Sequence, residues 1–378
     1  MKRILTTLSA MLFCAMLQAQ APGNFKNLDD SLFLNNETYV KGNKYQRDAM
    51  LFLDMLSDTH PYYIKKERRD ILFAGQESLL EECARCTDDS VFVSLLIKTL
   101  GDLHDKHTDI IAPDQLEKMK KTKKAKEEKV TETSDAIMAM KGDLFHYIIL
   151  PEHSLCYLQF NQCMDSRTSR NDSLPRWDTM LDEMFSKMKA DGIKTLVVDA
   201  QYNNGGSSML CDELLIRLRP LAEMENYSTQ IRFSRLMASY NPRIAVAKQA
   251  WEAKGHIDEL YSLPVKSPNG FVQPEVYSGK VIFVQSAKTF SSAGILMTLA
   301  RDNNIGIIVG SKSTYMPSHY GEVLPYRLPN TGVLGSVSCK FFARPDKAHL
   351  EDKTLVPDVA LDLADKEKAW QEILRLAK

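Results

Sequence analysis

Between residues 44 and 103 the apolar positions Ala49, Phe52, Leu53 and Leu56, then Leu72 and Phe73, then Val91, Leu95, Leu96 and Leu100 recur at intervals of mostly three and four residues. That spacing places them on one face of a helix. Polar breaks at 58–61 and 86–90 divide the stretch into several helices. The pattern predicts an N-terminal helical subdomain over 21–110. Further on the period changes: 145–150 and 155–160 read as strands, 177–190 as a helix, and KTLVVDA from Lys194 as a buried strand. A mostly polar, helix-prone insertion over about 210–275 precedes a second set, with the strand KVIFVQS at 280–286, a helix from Ser291 to about Arg301, and the strand IGIIVG at 305–310. Strands alternating with helices predict an α/β core over 145–378. From Gly310 onward the chain reads as loop and short strands, punctuated by RLPN at 327–330 and VPDVAL at 356–361.

A length of 378 residues leaves room for about two structural units and a sizeable core. Lys plus Arg (48) almost balance Asp plus Glu (49), leaving a net charge of −1, too weak to attract a polyanion over distance. Nucleic acid is therefore excluded as the expected partner. The run KMKKTKKAKEEK at 118–129 carries too much charge to bury and reads as a solvated helix or linker within a charged segment at 111–144. At the N-terminus Lys2 and Arg3 lead into an apolar run at 4–17 and small residues at 19–21. This is the pattern of a secretory signal over 1–20, with a mature chain starting near Gln20. The run is too short to cross a bilayer, and no later stretch is long and apolar enough, so no membrane span is expected. Bulky Phe13 before Cys14 argues against lipid attachment. The protein is expected to be exported, to the periplasm or beyond the cell.

Outside the signal lie six cysteines, Cys83, Cys86, Cys156, Cys163, Cys211 and Cys339, in a compartment that permits disulfides. Their pairing cannot be read from sequence. Cys83 and Cys86 have CxxC spacing, but no second CxxC or histidine pair completes a metal site. A local disulfide or two buried thiols is expected there, and no metal or organic cofactor.

Three segments carry residues suited to chemistry. In VVDAQYNNGGSS, 197–208, a buried strand runs into Asn203, Asn204, Gly205 and Gly206, and paired glycines let backbone N–H groups approach a ligand. In TFSSAG, 289–294, Ser291 stands where a strand gives way to a helix, so its oxygen lies near the helix's positive end and the next N–H faces any oxyanion formed there. A plain N-cap fits the same position. In LGDLHDKHTDI, 100–110, His104 and His107 sit among acids. His107, followed by Thr108 and a strand-like DII, is the better placed base for a serine.

In this order the segments resemble the C-terminal processing (tail-specific) serine peptidases, in the branch of the tricorn core and the interphotoreceptor retinoid-binding protein. LGDLHDKHT is similar to LGDGHT, VVDAQYNNGG to VVDLRxNxGG, and TFSSAG to TFSAAE; IIVGSKS with LPN and LVPD is similar to the VVGxxT, LPNG and GVxPD tail. The resemblance spans most of the chain after the signal. It implies a ClpP/crotonase-like βα core of the β-β-α superhelix type and a serine endopeptidase acting on a peptide or protein. Ser291 would be the nucleophile, with the N–H groups of Ser292 and of the Gly205–Gly206 turn as the oxyanion hole. The lysine that bacterial processing peptidases use as base would fall at about Met316, so His107 is the implied base and Glu351, in HLEDKTLVPD, the implied orienting acid.

Three positions depart from the pattern: Gly294 stands at a usual acid, Gln201 at the arginine of DLRxN, and Lys106 at the glycine before the histidine. The segment 111–150 is too short and too charged for a PDZ domain. The departures keep a second reading open, an inactive member that binds a peptide or apolar ligand in the equivalent cleft. Oligomeric state and cleavage specificity are not set by the sequence.

Overall fold

A computed structural model describes residues 25–111, 137–169, 171–264 and 272–378. The expected signal at 1–20 and the basic run at 118–129 lie outside the described residues. The fold is mixed α/β, with two six-stranded sheets and an N-terminal helical region. It divides into two compact units, one of Met1–Lys129, Thr229–Pro264 and Tyr320–Phe342, the other of Val130–Ser228, Val265–His319 and Ala343–Lys378.

In the second unit the strands run in the order Val359–Ala360, Ile307–Gly310, Lys280–Gln285, Thr195–Asp199, Leu155–Phe160, Phe145–Leu150. All neighbours are parallel except the last pair, an antiparallel hairpin. Parallel strands buried on both faces favour continuous apolar runs, and Leu196, Val197 and Val198 beside Val281, Ile282, Phe283 and Val284 supply them. On one face Trp177, from the helix Trp177–Ala190, stacks on Phe160 at 4.3 Å between ring centroids. On the other, Ala369 and Ile373 of the C-terminal helix Lys366–Ala377 pack against Tyr157, Val197 and Ile282. Asp199 pairs with Val284 in register, so these two neighbouring strands end together. Loops leaving the carboxyl ends of adjacent parallel strands are where open α/β sheets gather their ligands.

The first unit packs the helices Lys44–Thr59, Lys66–Ala74, Gln76–Ala84 and Asp89–Thr99 around Phe52, Leu56, Phe92 and Leu96. Asn43 starts the longest of them in a capping box with Gln46, which satisfies N–H groups that the first turn leaves unpaired. The structure differs from the sequence reading in two places. Within the expected helical insertion, Ser228–Ile231 and Tyr261–Ser262 are paired strands, and most of the segment joins the helical unit. Beyond Gly310, two long strands, His319–Arg327 and Leu334–Ala343, replace the expected short ones. The first difference comes from pairing between short segments about thirty positions apart, and the second from consecutive strands whose alternation Gly321 and Gly335 interrupt.

The LPN segment is held by Asp48, which is fully buried and accepts from the backbone N–H and side-chain Nδ2 of Asn330 and from the N–H and Oγ1 of Thr331. Asp48→Ala orphans these donors, and its urea unfolding midpoint is expected to fall by the equivalent of about 2–3 kcal/mol.

Candidate active site

The two strand-end loops of the second unit are joined by a set of hydrogen bonds. Thr289 Oγ1 donates to Ala200 O at 2.9 Å, Phe290 N–H to Asn203 O at 3.0 Å, and Ser286 Oγ to Gln201 O. Asn203 is fully buried and ties three pieces of chain: its Nδ2 donates to Phe160 O at 3.0 Å, and its Oδ1 accepts from Gly205 N–H at 2.9 Å and from the Cys163 thiol at 3.5 Å.

Between these loops stands Ser291, one residue before the helix Ser292–Asp302, with φ 52° and ψ −124°. A positive φ at a residue with a Cβ is strained and concentrates at functional positions. Its side chain makes no capping hydrogen bond, so the strain is not explained by a cap. Gly205 (φ 103°) packs directly on it: a Cβ at 205 would meet Ser291 Cβ at 2.7 Å and Ser292 N at 3.1 Å. Gly206 (φ 136°) is as constrained, since a Cβ there would lie 2.3 Å from Cys163 O. Ser292 Oγ donates to Gly206 O at 2.7 Å and fixes the turn to the first residue of the helix. The Gly205 N–H is already taken by Asn203, so the glycine's contribution is close approach rather than a free donor. Under this turn Cys163 and Cys211 place their sulfurs 3.6 Å apart as free thiols. Cys83 and Cys86 are also free, so of the two expected arrangements the structure has thiols and not a local disulfide.

Two of the departures have local compensation. Gln201 Nε2 donates to Asp199 Oδ2 at 2.7 Å, and Gln201 Oε1 accepts from Lys366 Nζ. The positive charge that an arginine would bring thus comes from the C-terminal helix. Burial holds the Asp199 carboxyl above its usual range, outweighing the bonds from Tyr157 and Gln201 that favour its charged form. At Gly294 the space of an acid is filled by Tyr315, whose ring carbons would lie 2.5–2.7 Å from a Cβ there. Tyr315 is itself buried and hydrogen-bonded through its hydroxyl to His319 Nδ1 at 2.7 Å.

In the first unit His107 follows the short helix Gly101–Leu103 and precedes the strand Asp109–Ile111, which pairs with Leu334–Ser336. Ser336 Oγ donates to His107 O at 2.8 Å. The His107 ring is 15% exposed, and its Nδ1 lies 3.4 Å from Asp105 Oδ1. That carboxylate also accepts from His107 N–H at 2.9 Å, Thr108 Oγ1 at 2.7 Å, Ser338 Oγ at 2.6 Å and His60 Nε2 at 3.1 Å. Burial pushes Asp105 up, but the bonds from His107, His60 and Ser338 outweigh it and hold the carboxyl far below the usual range. Lys106 is exposed. Glu351 lies in an exposed turn after Lys347–His349 and makes no hydrogen bond or ion pair among the described residues. Sequence reasoning passed over Asp105 and His60; the Asp-x-His spacing was the visible signal for the first.

The depressed Asp105 pKa has a defined pH consequence. A carboxyl lowered in the folded state contributes stability that is present above the unfolded value, about 3.9, and is lost as pH falls below it, because the unfolded chain takes up a proton first. Urea titrations of wild type and Asp105→Asn are therefore expected to show a wild-type advantage at pH 6 that shrinks on acidification below about pH 4.

The family model for Peptidase family S41 matches residues 154–361, more than half of the chain. The chain belongs to this family of serine peptidases. Solved structures agree on the fold. Mature CPAF complexed with lactacystin matches with a TM-score of 0.59 and 14% identity, over 89% of this chain and 97% of that one. A lipoprotein from Streptococcus agalactiae matches with a TM-score of 0.51 and 10% identity, over 88% and 97%. No curated protein matches the chain. The S41 match contains the glycine turn, Ser291 and Glu351, whereas His107 and Asp105 precede it. Among the described residues no helix is long and apolar enough to cross a membrane.

Proposed function

We propose that this S41 member is an exported serine endopeptidase that cleaves a peptide or protein through an acyl-enzyme on Ser291, with His107 as general base. Ser291 Oγ bonds to the scissile carbonyl carbon while its proton passes to His107. Collapse of the tetrahedral intermediate breaks the C–N bond, and His107 returns the proton to the leaving amine. Water then repeats the sequence and releases the acid. The oxyanion is assigned to the N–H of Ser292, at the first turn of its helix, and to that of Gly206, since the Gly205 N–H serves Asn203. The basic and apolar residues 2–17 support export.

The observation that carries this reading is the strained backbone of Ser291, held against a glycine turn that would not admit a Cβ. A serine kept there only as a helix cap would use its side chain as one. The test is cleavage of a peptide library by wild type and His107→Ala across pH 5–8. The expected result is a loss of about 10³-fold or more in the variant across that range. Full activity in His107→Ala would remove His107 from the reaction.

A further inference from the structure

We infer that Asp105, rather than Glu351, is the residue that orients His107 for proton transfer; this rests on the peptidase reading above. The carboxylate is fixed from three separate parts of the unit. Its Oδ2 accepts from Thr108 in its own loop, from Ser338 on the strand Leu334–Ala343, and from His60 at the end of the helix Lys44–Thr59. Its Oδ1 accepts the His107 backbone N–H and faces His107 Nδ1. Thr108 Oγ1, besides donating to Asp105, accepts from Ser338 N–H at 3.1 Å, which closes the ring of bonds.

His60 cannot compete for the acid's role or for a metal. Its Nδ1 accepts from Tyr62 N–H at 3.0 Å, so its proton sits on Nε2 and is donated to Asp105. It is fully buried, and burial lowers its basicity. His60 is therefore a neutral strut. Tyr320 packs on its ring at 4.6 Å between centroids.

The consequence for His107 is chemical. A fixed anion beside Nδ1 selects the tautomer with the proton on Nδ1, leaving the Nε2 lone pair to receive the proton of a serine, and it stabilises the imidazolium that results. The 3.4 Å separation is long for a hydrogen bond, as is common before substrate binds. Glu351, exposed and without a hydrogen bond among the described residues, has nothing to fix it in such a role. Asp105 is thus a positioning residue, two positions before the base it serves.

The experiment compares Asp105→Asn, Glu351→Gln and Ser291→Ala with wild type in steady-state cleavage of a peptide, with active-site labelling by a fluorophosphonate. Labelling of wild type but not Ser291→Ala establishes the peptidase reading independently. Asp105→Asn is then expected to lower kcat about 10²–10⁴-fold with KM within about threefold, and Glu351→Gln to stay within about threefold in both. A wild-type kcat in Asp105→Asn, or a large loss in Glu351→Gln, overturns the inference while leaving the nucleophile in place. An unlabelled wild type overturns both. Should Asp105→Asn fail to fold, nitrogen NMR of wild-type His107 decides: an Nδ1–H neutral imidazole supports the assignment, and the Nε2–H form contradicts it.

Discussion

Ser291→Ala is expected to fold normally and not to cleave peptides. The activity loss is expected at about 10⁴–10⁶-fold in kcat, since the variant retains only substrate binding and the oxyanion donors. The stability change is expected within about 1 kcal/mol, because the Ser291 side chain makes no capping bond to the helix Ser292–Asp302. The two halves of the expectation test different things. Had Ser291 been a helix cap, the loss of its hydroxyl would cost stability at the level of a cap, roughly 0.5–2 kcal/mol. Activity and melting temperature measured on one preparation separate the two. A variant that melts early and still cuts would make Ser291 structural.

Gly205→Ala is expected to abolish activity through geometry alone. The new methyl would sit 2.7 Å from Ser291 Cβ, 3.0 Å from Phe290 O and 3.1 Å from Ser292 N. Backbone atoms on two sides leave no flexible neighbour to move aside. Relief must come from shifting the glycine turn, Ser291 or both. The first breaks the Gly205 N–H bond to Asn203 and the Ser292 bond to Gly206 O. The second relaxes the φ of 52° that presents Ser291. A displacement of about 1 Å at a reacting atom costs on the order of 10²-fold, and loss of an oxyanion donor a further 10²–10³-fold. The expected kcat loss is therefore about 10²–10³-fold if one of them shifts and about 10⁴–10⁵-fold if both do, with a destabilisation of roughly 1–3 kcal/mol from the positive φ. A crystal structure of the variant with Ser291 unmoved, together with near-normal kcat, would show that the turn has no part in catalysis.

The core of the second unit was legible because its strands are buried on both faces. LVV at 196–198 and VIFV at 281–284 are continuous apolar runs, the pattern of strands covered on both faces. The neighbourhood of Ser291 was legible for a related reason: paired glycines after one such strand and serines after the next mark the carboxyl edge of the sheet. The environment of His107 was not. Asp105 takes its donors from His60, 45 positions away, and from Ser338, 233 positions away, and no local periodicity encodes such pairings. The Lys366 contact that compensates Gln201 spans 165 positions and was hidden for the same reason. Gly294 looked like a lost acid, because the sequence does not show that Tyr315 occupies the space. The strands Ser228–Ile231 and Tyr261–Ser262 were lost in a polar stretch, being only four and two residues long.

The most direct test of the central claim is to react the folded protein with a fluorophosphonate and map the adduct by peptide mass spectrometry. One phosphonylated residue is expected, Ser291, with labelling slowed in His107→Ala. Recovery of the peptide containing Ser291 unmodified from a folded, fully reacted sample would contradict it, as would an adduct on any other serine.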